Sequence, residues 1–375
     1  MRSHLARFLC VATLAAITLA DDDIPKGRLV ERVVCTGDKS QSYALYLPAA
    51  YSRERAWPIL YCLDPLARGR LPVERFQNAA EQAGFIVAGS NNSRNGSLDV
   101  AREAIRWLLA DTHDRFAIDD SRTYAAGFSG GARLALAWAG NGRIAGVVAC
   151  GAGFGSVIPK EVPFRIYATA GVDDFNYDEV YAMSRELSRQ GVSQRFAQFL
   201  GGHDWLPETL TGEALDFLSE RLKPEPPPPE SPQQKKVALR YSQLQAELAR
   251  DDDQERRSTI HQLQRDSERP EDSPDRRVAR RVMVGFFIGA MEQGRALLDA
   301  KQYRDAAQAW ELAVLAEPKN AGAWYSLARS RAGMHDKRGA LDALDHAIAN
   351  GFDDRDRIEH DPLFDGLRGD RLHRP

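Results

Sequence analysis

The stretch best equipped for chemistry is Gly127-Phe128-Ser129-Gly130-Gly131. A serine hydroxyl is a weak nucleophile until a neighbouring base takes its proton. Glycines two before and two after the serine permit a sharp strand-to-helix turn, because side chains there would collide. The flanks fit such a turn. Arg122–Ala126 reads as a strand and Ala132–Trp138 as a helix, so Ser129 falls at the bend between them. The turn exposes the hydroxyl at a helix N-terminus, where amides can face developing negative charge. The five-residue pattern is short enough to arise by chance; its place between a strand and a helix gives it weight.

The base must come from histidine, and a strand–serine–helix turn calls for the order serine, acid, histidine. Between residues 24 and 222 the histidines are His113 and His203. His113 precedes the serine, near the end of a helix, and reads as an ordinary surface residue. His203 lies in Gly201-Gly202-His203-Asp204-Trp205, a loop after the last strand of the segment, from which an imidazole can reach over a serine. The acid that orients it should lie in Gly171-Val172-Asp173-Asp174-Phe175-Asn176-Tyr177. Asp173 and Asp174 compete evenly there, and Asp178 reads as a helix N-cap.

The elements that must position these groups alternate. Strands are expected at Arg28–Thr36, Ser42–Leu47, Pro58–Leu63, Phe85–Ser90, Arg122–Ala126, Ile144–Cys150, Phe164–Ala170 and Gln194–Leu200. Several are nearly all apolar, as strands covered on both faces should be. Helices are expected at Val73–Ala83, Leu98–Phe116, Gly130–Gly140, Tyr177–Gln190 and Pro207–Leu222. This is the pattern of an α/β domain with a mainly parallel sheet and helices on both faces. The first two strands lack a helix between them and should form an antiparallel hairpin at one edge.

Residues 28–222 resemble the bacterial polyhydroxybutyrate depolymerase-like and dienelactone hydrolase-like esterases of the α/β-hydrolase superfamily. The resemblance rests on Asp114-Arg115-Phe116, on Tyr124 through Ser129 to Arg133, on Ala170-Gly-Val-Asp-Asp-Phe175 and on Gly202-His-Asp-Trp205. It implies an eight-stranded α/β-hydrolase sheet and a Ser129, Asp174, His203 triad. It favours Asp174 over Asp173, because the acid in that family usually stands three residues after the strand-ending glycine. It also implies an acyl-enzyme mechanism that needs neither metal nor organic cofactor.

An oxyanion hole takes two amides. One is expected from Gly130, directly after the nucleophile. The other is expected from the loop Leu63-Asp64-Pro65-Leu66-Ala67-Arg68-Gly69, with Leu66 as the donor. The family often has His-Gly where this chain has Asp64-Pro65, and proline has no amide to give. Asn91 and Asn92 stand where ligands bind in open α/β sheets and are assigned, with Trp205, to substrate binding, although a turn-shaping role suits the asparagines better. The 45 residues from Ser129 to Asp174 (174 − 129) leave no room for a large lid, which favours bulky or polymer-borne esters.

Residues 1–20 differ in kind. Arg2 and Arg7 precede an apolar run that ends Thr18-Leu19-Ala20 before three aspartates, the pattern of a secretory signal peptide and of a secreted or periplasmic protein. Cys10 lacks the preceding small residue of a lipoprotein signal. Cys35, Cys62 and Cys150 form neither a disulfide framework nor a zinc spacing and read as buried apolar residues.

Lys223–Pro232 holds six prolines in ten residues, so residues 223–234 read as a stiff linker ending the catalytic domain (24–222). Residues 235–375 are helical in composition, with amphipathic helices at Val237–Arg250 and Gln254–Arg265 and a loop at Glu268–Asp275. At a shift of 34, Ala290 meets Trp324, Gly294 meets Ala328, Ala306 meets Ala340, Trp310 meets Leu344 and Ala313 meets Ala347. This resembles the tetratricopeptide repeat, over about residues 287–352, and suggests a protein partner for that region. A net charge of −3 excludes a binder that works by neutralising phosphates, and no later segment is apolar enough to span a membrane. Two rival functions stand beside the esterase: a peptidase of the same fold, and a catalytically weak hydrolase-fold protein that acts through its repeats.

Overall fold

The computed structural model describes residues 24–155, 157–250, 252–270 and 273–367. The signal-peptide expectation and Cys10 lie outside the described residues. Eight strands form one sheet: β1 (Leu29–Val34), β2 (Ser42–Tyr46), β3 (Trp57–Leu63), β4 (Ile86–Ser90), β5 (Ile118–Phe128), β6 (Gly146–Cys150), β7 (Arg165–Gly171) and β8 (Gln194–Phe199). Their order is β1-β2-β4-β3-β5-β6-β7-β8, consistent with the α/β-hydrolase fold. β1 and β2 form the expected antiparallel hairpin, β2 runs antiparallel to β4, and β3 runs parallel to both β4 and β5. Every residue of β3, β4 and β6 is buried, which is why their sequences are unbroken apolar runs rather than alternating ones.

The helices of this part are α1 (Arg70–Ala83), α2 (Leu98–Arg115), α3 (Gly130–Ala139), α4 (Tyr177–Arg189) and α5 (Glu208–Leu218). Asp178 is not the N-cap of α4; it lies in the first turn, and Asn176 holds the cap position. Cys35, Cys62 and Cys150 are buried, and none is in a disulfide among the described residues. Burial pushes the Cys35 thiol up to about 12, which removes any thiolate reactivity near neutral pH.

The C-terminal part is helical: α6 (Pro232–Leu248), α7 (Asp253–Ser267), α8 (Pro274–Asp299), α9 (Tyr303–Ala316), α10 (Ala321–Gly333), α11 (Lys337–Ala349) and α12 (Arg355–His360), followed by a 3-10 turn at Pro362–Leu367. α6 starts earlier than the composition suggested. Ser231 and Gln234 form a capping box, and Pro232 occupies the first turn, where its missing amide costs nothing. The small residues of the 34-residue pattern lie in one core: Ala290, Ala306, Ala313, Ala328, Ala340 and Ala347 are buried together with Trp310 and Leu344. A Cβ on Gly294 would fall 2.8 Å from the Trp310 indole, so only glycine lets α8 and α9 approach this closely.

The chain divides into two compact units at several points. Among the described residues, one contains those up to Ala149, Pro159–Tyr167 and Pro207–Pro224; the other contains Cys150–Ile158, Ala168–Leu206 and those from Glu225 onward. The last of these divisions falls between Pro224 and Glu225, inside the proline-rich stretch at residues 223–234. Within the second unit the proline segment is tied down: the Glu225 amide donates to the Gln194 carbonyl at 3.2 Å, and the Tyr181 hydroxyl donates to the Pro228 carbonyl at 2.5 Å. Among the described residues no helix is long and apolar enough to cross a membrane.

Candidate active site

The candidate nucleophile is Ser129, whose turn lies in the first unit. Ser129 has φ 52° and ψ −121°, a left-handed backbone that costs about 1–3 kcal/mol for a residue with a Cβ. The cost is imposed by the surroundings. A Cβ on Gly127 would lie 2.1 Å from the Gly131 carbonyl oxygen, and one on Gly131 would lie 2.0 Å from the Leu63 carbonyl oxygen. Glycines at both positions thus let β5 enter α3 while β3 lies alongside, with Leu63 in register with Gly127. The Ser129 carbonyl accepts from the Ala132 and Arg133 amides at 3.0 and 3.2 Å, so α3 starts at once and Gly130 is its first residue. Amides in a first helical turn have no acceptor within the helix, which suits Gly130 to an oxyanion.

The loop after β3 differs from expectation. Asp64 is 1% exposed, and its Oδ1 accepts the Leu66 amide at 2.9 Å and the Arg68 Nε at 2.9 Å, while Oδ2 accepts Arg68 Nη2 at 2.9 Å. The amide expected to complete the oxyanion hole therefore already has an acceptor, a turn closed by the aspartate's own side chain. The Leu66 side chain is exposed, and Leu66 bridges to Arg94. That bridge and the bond from the Asn95 amide to the Pro65 carbonyl (2.9 Å) join the loops after β3 and β4. A Cβ on Gly130 would fall 1.9 Å from Asn95 Oδ1, so the Asn95 carboxamide lies against the residue after the serine. The sequence reading passed over Asn95.

Asn91 and Asn92 do not present their carboxamides as substrate ligands. Asn91 Nδ2 donates to the Glu31 carbonyl at 3.2 Å; Asn92 Oδ1 accepts the Ser42 amide at 2.8 Å, and its Nδ2 donates to the Ser40 carbonyl at 3.0 Å. Both hold the β1–β2 hairpin, a structural role of the kind that suited them better than substrate binding. His113 bonds Leu109 and Asp120 at the surface.

The acid–imidazole pair lies in the second unit. His203 Nδ1 stands 2.9 Å from Asp174 Oδ1. Asp173 faces elsewhere, toward Arg280 at 3.3 Å and Arg277 at 3.7 Å, both on α8. An ionised carboxylate only accepts, so Nδ1 carries the proton and Nε2 is the basic nitrogen of the ring. Oδ1 also accepts the Asn176 amide at 2.8 Å, and Oδ2 is buried without a hydrogen-bond partner among the described residues. Asp174 is 0% exposed, so a displaced carboxylate has no water to fall back on.

Backbone approach makes the pair. A Cβ on Gly171 would lie 2.3 Å from the Gly202 carbonyl oxygen, and the Val172 and Asp173 amides donate to Phe199 and Gly201 at 2.9 and 2.8 Å. The acid loop and the histidine loop are thus stitched together. Gly151, at φ +63°, closes the other side: a Cβ there would fall 2.9 Å from Asp174 Oδ2 and 3.2 Å from His203 Cε1 and Nδ1. Asn176 Nδ2 donates to the Gly151 carbonyl at 2.8 Å, and the Phe175 ring lies 4.4 Å from the imidazole, centroid to centroid. Gly151, Phe175 and Asn176 were not singled out from sequence; a glycine closing an all-apolar strand at its carboxyl end was the available signal for Gly151. Trp205, two residues past His203, is 0% exposed and offers no surface to a substrate, which corrects its assignment. Burial pushes the Asp178 carboxyl up, and the Arg281 guanidinium beside it opposes that rise. Among the described residues no group of three His, Cys, Asp or Glu side chains could hold a metal ion.

No family model and no curated protein matches the chain. Among solved structures it is similar to the fluorophosphonate-binding serine hydrolase F of Staphylococcus aureus in its substrate-bound form, at 15% identity over 48% of this chain and 92% of that one, with a TM-score of 0.39. It is also similar to a ferulic acid esterase, at 18% identity over 52% and 98% of the two chains with a TM-score of 0.43. A third likeness is to an esterase of Pyrobaculum calidifontis, at 13% identity over 54% and 88% with a TM-score of 0.41.

Proposed function

We propose that this protein is a serine hydrolase that cleaves carboxylic esters through an acyl-enzyme on Ser129. The observation that carries the reading is the left-handed Ser129 turn, fixed by two glycines whose replacement would drive side chains into backbone. A fold keeps that strain where an exposed hydroxyl is needed. The Asp174–His203 bond supports it from the other side, since it fixes the tautomer in which Nε2 can take a proton. In the proposed reaction His203 Nε2 takes the Ser129 proton as the oxygen attacks the acyl carbon. The oxyanion rests on the Gly130 amide, and the imidazolium then protonates the departing alcohol. Water, deprotonated by Nε2, attacks the acyl-enzyme and releases the acid and the free serine. His203 is positively charged between the two transfers, and Asp174 stabilises that form.

In this reading the chain is exported by the signal at residues 1–20, the helices around residues 287–352 are tetratricopeptide-like and dock a protein partner, and the substrates are bulky or polymer-borne esters. The test is a fluorophosphonate probe together with a p-nitrophenyl ester panel, run on the protein and on Ser129→Ala. Labelling and hydrolysis that vanish in the variant support the proposal. An unlabelled Ser129 refutes it, and cleavage of amide substrates alone favours a peptidase. A second reading, a weak hydrolase that works through its repeats, is favoured by one observation: the Leu66 amide is bonded to Asp64 and not held open. It predicts slow labelling and retained partner binding in Ser129→Ala.

A further inference from the structure

The loop that carries Asp174 is held from a helix more than a hundred residues further along the chain. Arg281, on α8, is 2% exposed. Its Nε and Nη2 donate to the Val172 carbonyl at 3.0 and 2.7 Å, and its Nη1 lies 3.1 Å from both carboxylate oxygens of Asp178. One planar guanidinium therefore grips the loop two residues before Asp174 and four residues after it. The same group lies over the Tyr177 ring, 4.4 Å from its centroid. Neighbouring contacts act in the same direction. Arg280 and Arg277 pair with Asp173, and Gln234 of α6 donates to the Tyr177 hydroxyl at 3.0 Å. Gly285 packs against Phe175, the ring that in turn lies on His203.

We propose that Arg281 is a positioning residue for the hydrolytic reaction, and that α8 is thereby a working part of the acid–base pair rather than an appended module. The proposal rests on the reading of His203 as the base for Ser129. The Asp174 side chain itself has few partners: Oδ1 meets His203 and the Asn176 amide from the same loop, and Oδ2 has no hydrogen-bond partner among the described residues. The placement of the carboxylate thus depends on where the loop backbone is held. Arginine suits this task because its rigid fork reaches a carbonyl and a carboxylate at once, which a lysine ammonium on a flexible stem cannot reproduce. Positional error in such a group is costly, since a displacement of about 1 Å lowers a rate by about a hundredfold.

The full chain is compared with Arg281→Ala and Arg281→Lys, and with Arg331→Ala as a control. Arg331, on α10, bonds Glu311 and the Gly339 carbonyl, away from the loop. Two readouts are taken: the fluorophosphonate inactivation constants, split into the maximal rate and the half-saturating concentration, and the low-field proton resonance of the Asp174-bound imidazole N–H. Arg281→Ala should lower the maximal inactivation rate about 30- to 100-fold with the half-saturating concentration within about twofold, and should lose the low-field resonance. Arg281→Lys should fall between, and Arg331→Ala should match the parent. Wild-type rates and an intact resonance in a folded Arg281→Ala overturn the proposal. If that variant does not fold, Arg281→Lys decides: a drop of about tenfold or more with an unchanged melting curve supports it, and no drop overturns it. A parent chain that never labels removes the reading of Ser129 and His203, and this proposal with it. That failure shows in the parent and not in the variants, so the two are told apart.

Discussion

Replacing Gly151 by alanine should damage both stability and turnover, and the two losses can be separated. Gly151 has φ +63°, in the left-handed region, where a residue with a Cβ pays about 1–2 kcal/mol. Alanine recovers about 0.4–1 kcal/mol of that by narrowing the unfolded ensemble. The backbone effect alone is therefore about 0.5–1 kcal/mol of lost stability. Gly191 measures this effect by itself: it has φ +73°, and a Cβ there meets nothing within 4 Å. At Gly151 the added methyl would stand 2.9 Å from Asp174 Oδ2 and 3.2 Å from two atoms of the His203 ring. Overpacking of this kind costs about 1–3 kcal/mol more, because the neighbours or the backbone must move by several tenths of an ångström. The atoms that must move are the acid and the base. Gly151→Ala should thus lose about 1.5–4 kcal/mol in urea titration, against about 0.5–1 kcal/mol for Gly191→Ala. Its fluorophosphonate labelling should slow about tenfold or more per folded molecule, while Gly191→Ala labels like the parent. Equal stability losses in the two variants, with equal labelling, would refute the steric argument and with it the closeness of Gly151 to the pair.

Two further outcomes follow from single contacts. Asp174→Asn removes the carboxylate that fixes the Nδ1–H tautomer and should cut labelling about 10³- to 10⁴-fold, while Asp173→Asn, which loses only pairing to Arg280 and Arg277, should retain most of the rate. Asp111 is buried; burial pushes its carboxyl up, but donors from Thr36, Tyr43 and Arg115 outweigh that and hold it below the usual carboxylate range. A folded-state value below the unfolded one adds stability that is present above the unfolded value, near pH 4, and is lost as pH falls through the folded one. The stability gap between the protein and Asp111→Asn should therefore be widest above about pH 5 and should narrow on acidification below about pH 4, read as urea midpoints at each pH.

The sheet was legible because its strands are covered on both faces, which leaves apolar runs such as Trp57–Leu63 and Gly146–Cys150 with little competing pattern. The Ser129 turn was legible for a different reason. Its glycines answer to collisions with backbone a few residues away, so the requirement is written locally. The choice between Asp173 and Asp174 was not written in the residues at all. The two side chains are identical, and what separates them is that one turns to His203 and the other to arginines on α8.

The same logic explains the misreadings. Trp205 was assigned from its place beside a catalytic motif, and the asparagines were offered to substrate as the lesser of two readings from their place at the carboxyl edge of the sheet, but placement along the chain does not say which way a side chain turns. Trp205 turns into the core, and Asn91 and Asn92 turn to the hairpin carbonyls and amide that would otherwise lack partners. Leu66 illustrates the complementary error: its amide was free in the sequence reading because the acceptor, Asp64, was viewed only as a departure from the family's His-Gly and not as a side chain able to close its own turn. Arg281 left no trace of its role, since an arginine on a helix with other arginines beside it reads as a solvated face. Only the folded chain shows that it is buried at 2% exposure with four donor contacts on a loop 103 to 109 residues away. Groups whose partners lie in the next few residues can be read from a sequence by sterics; groups whose partners lie in another element need the element's position first, and the acid loop of this protein belongs to the second kind.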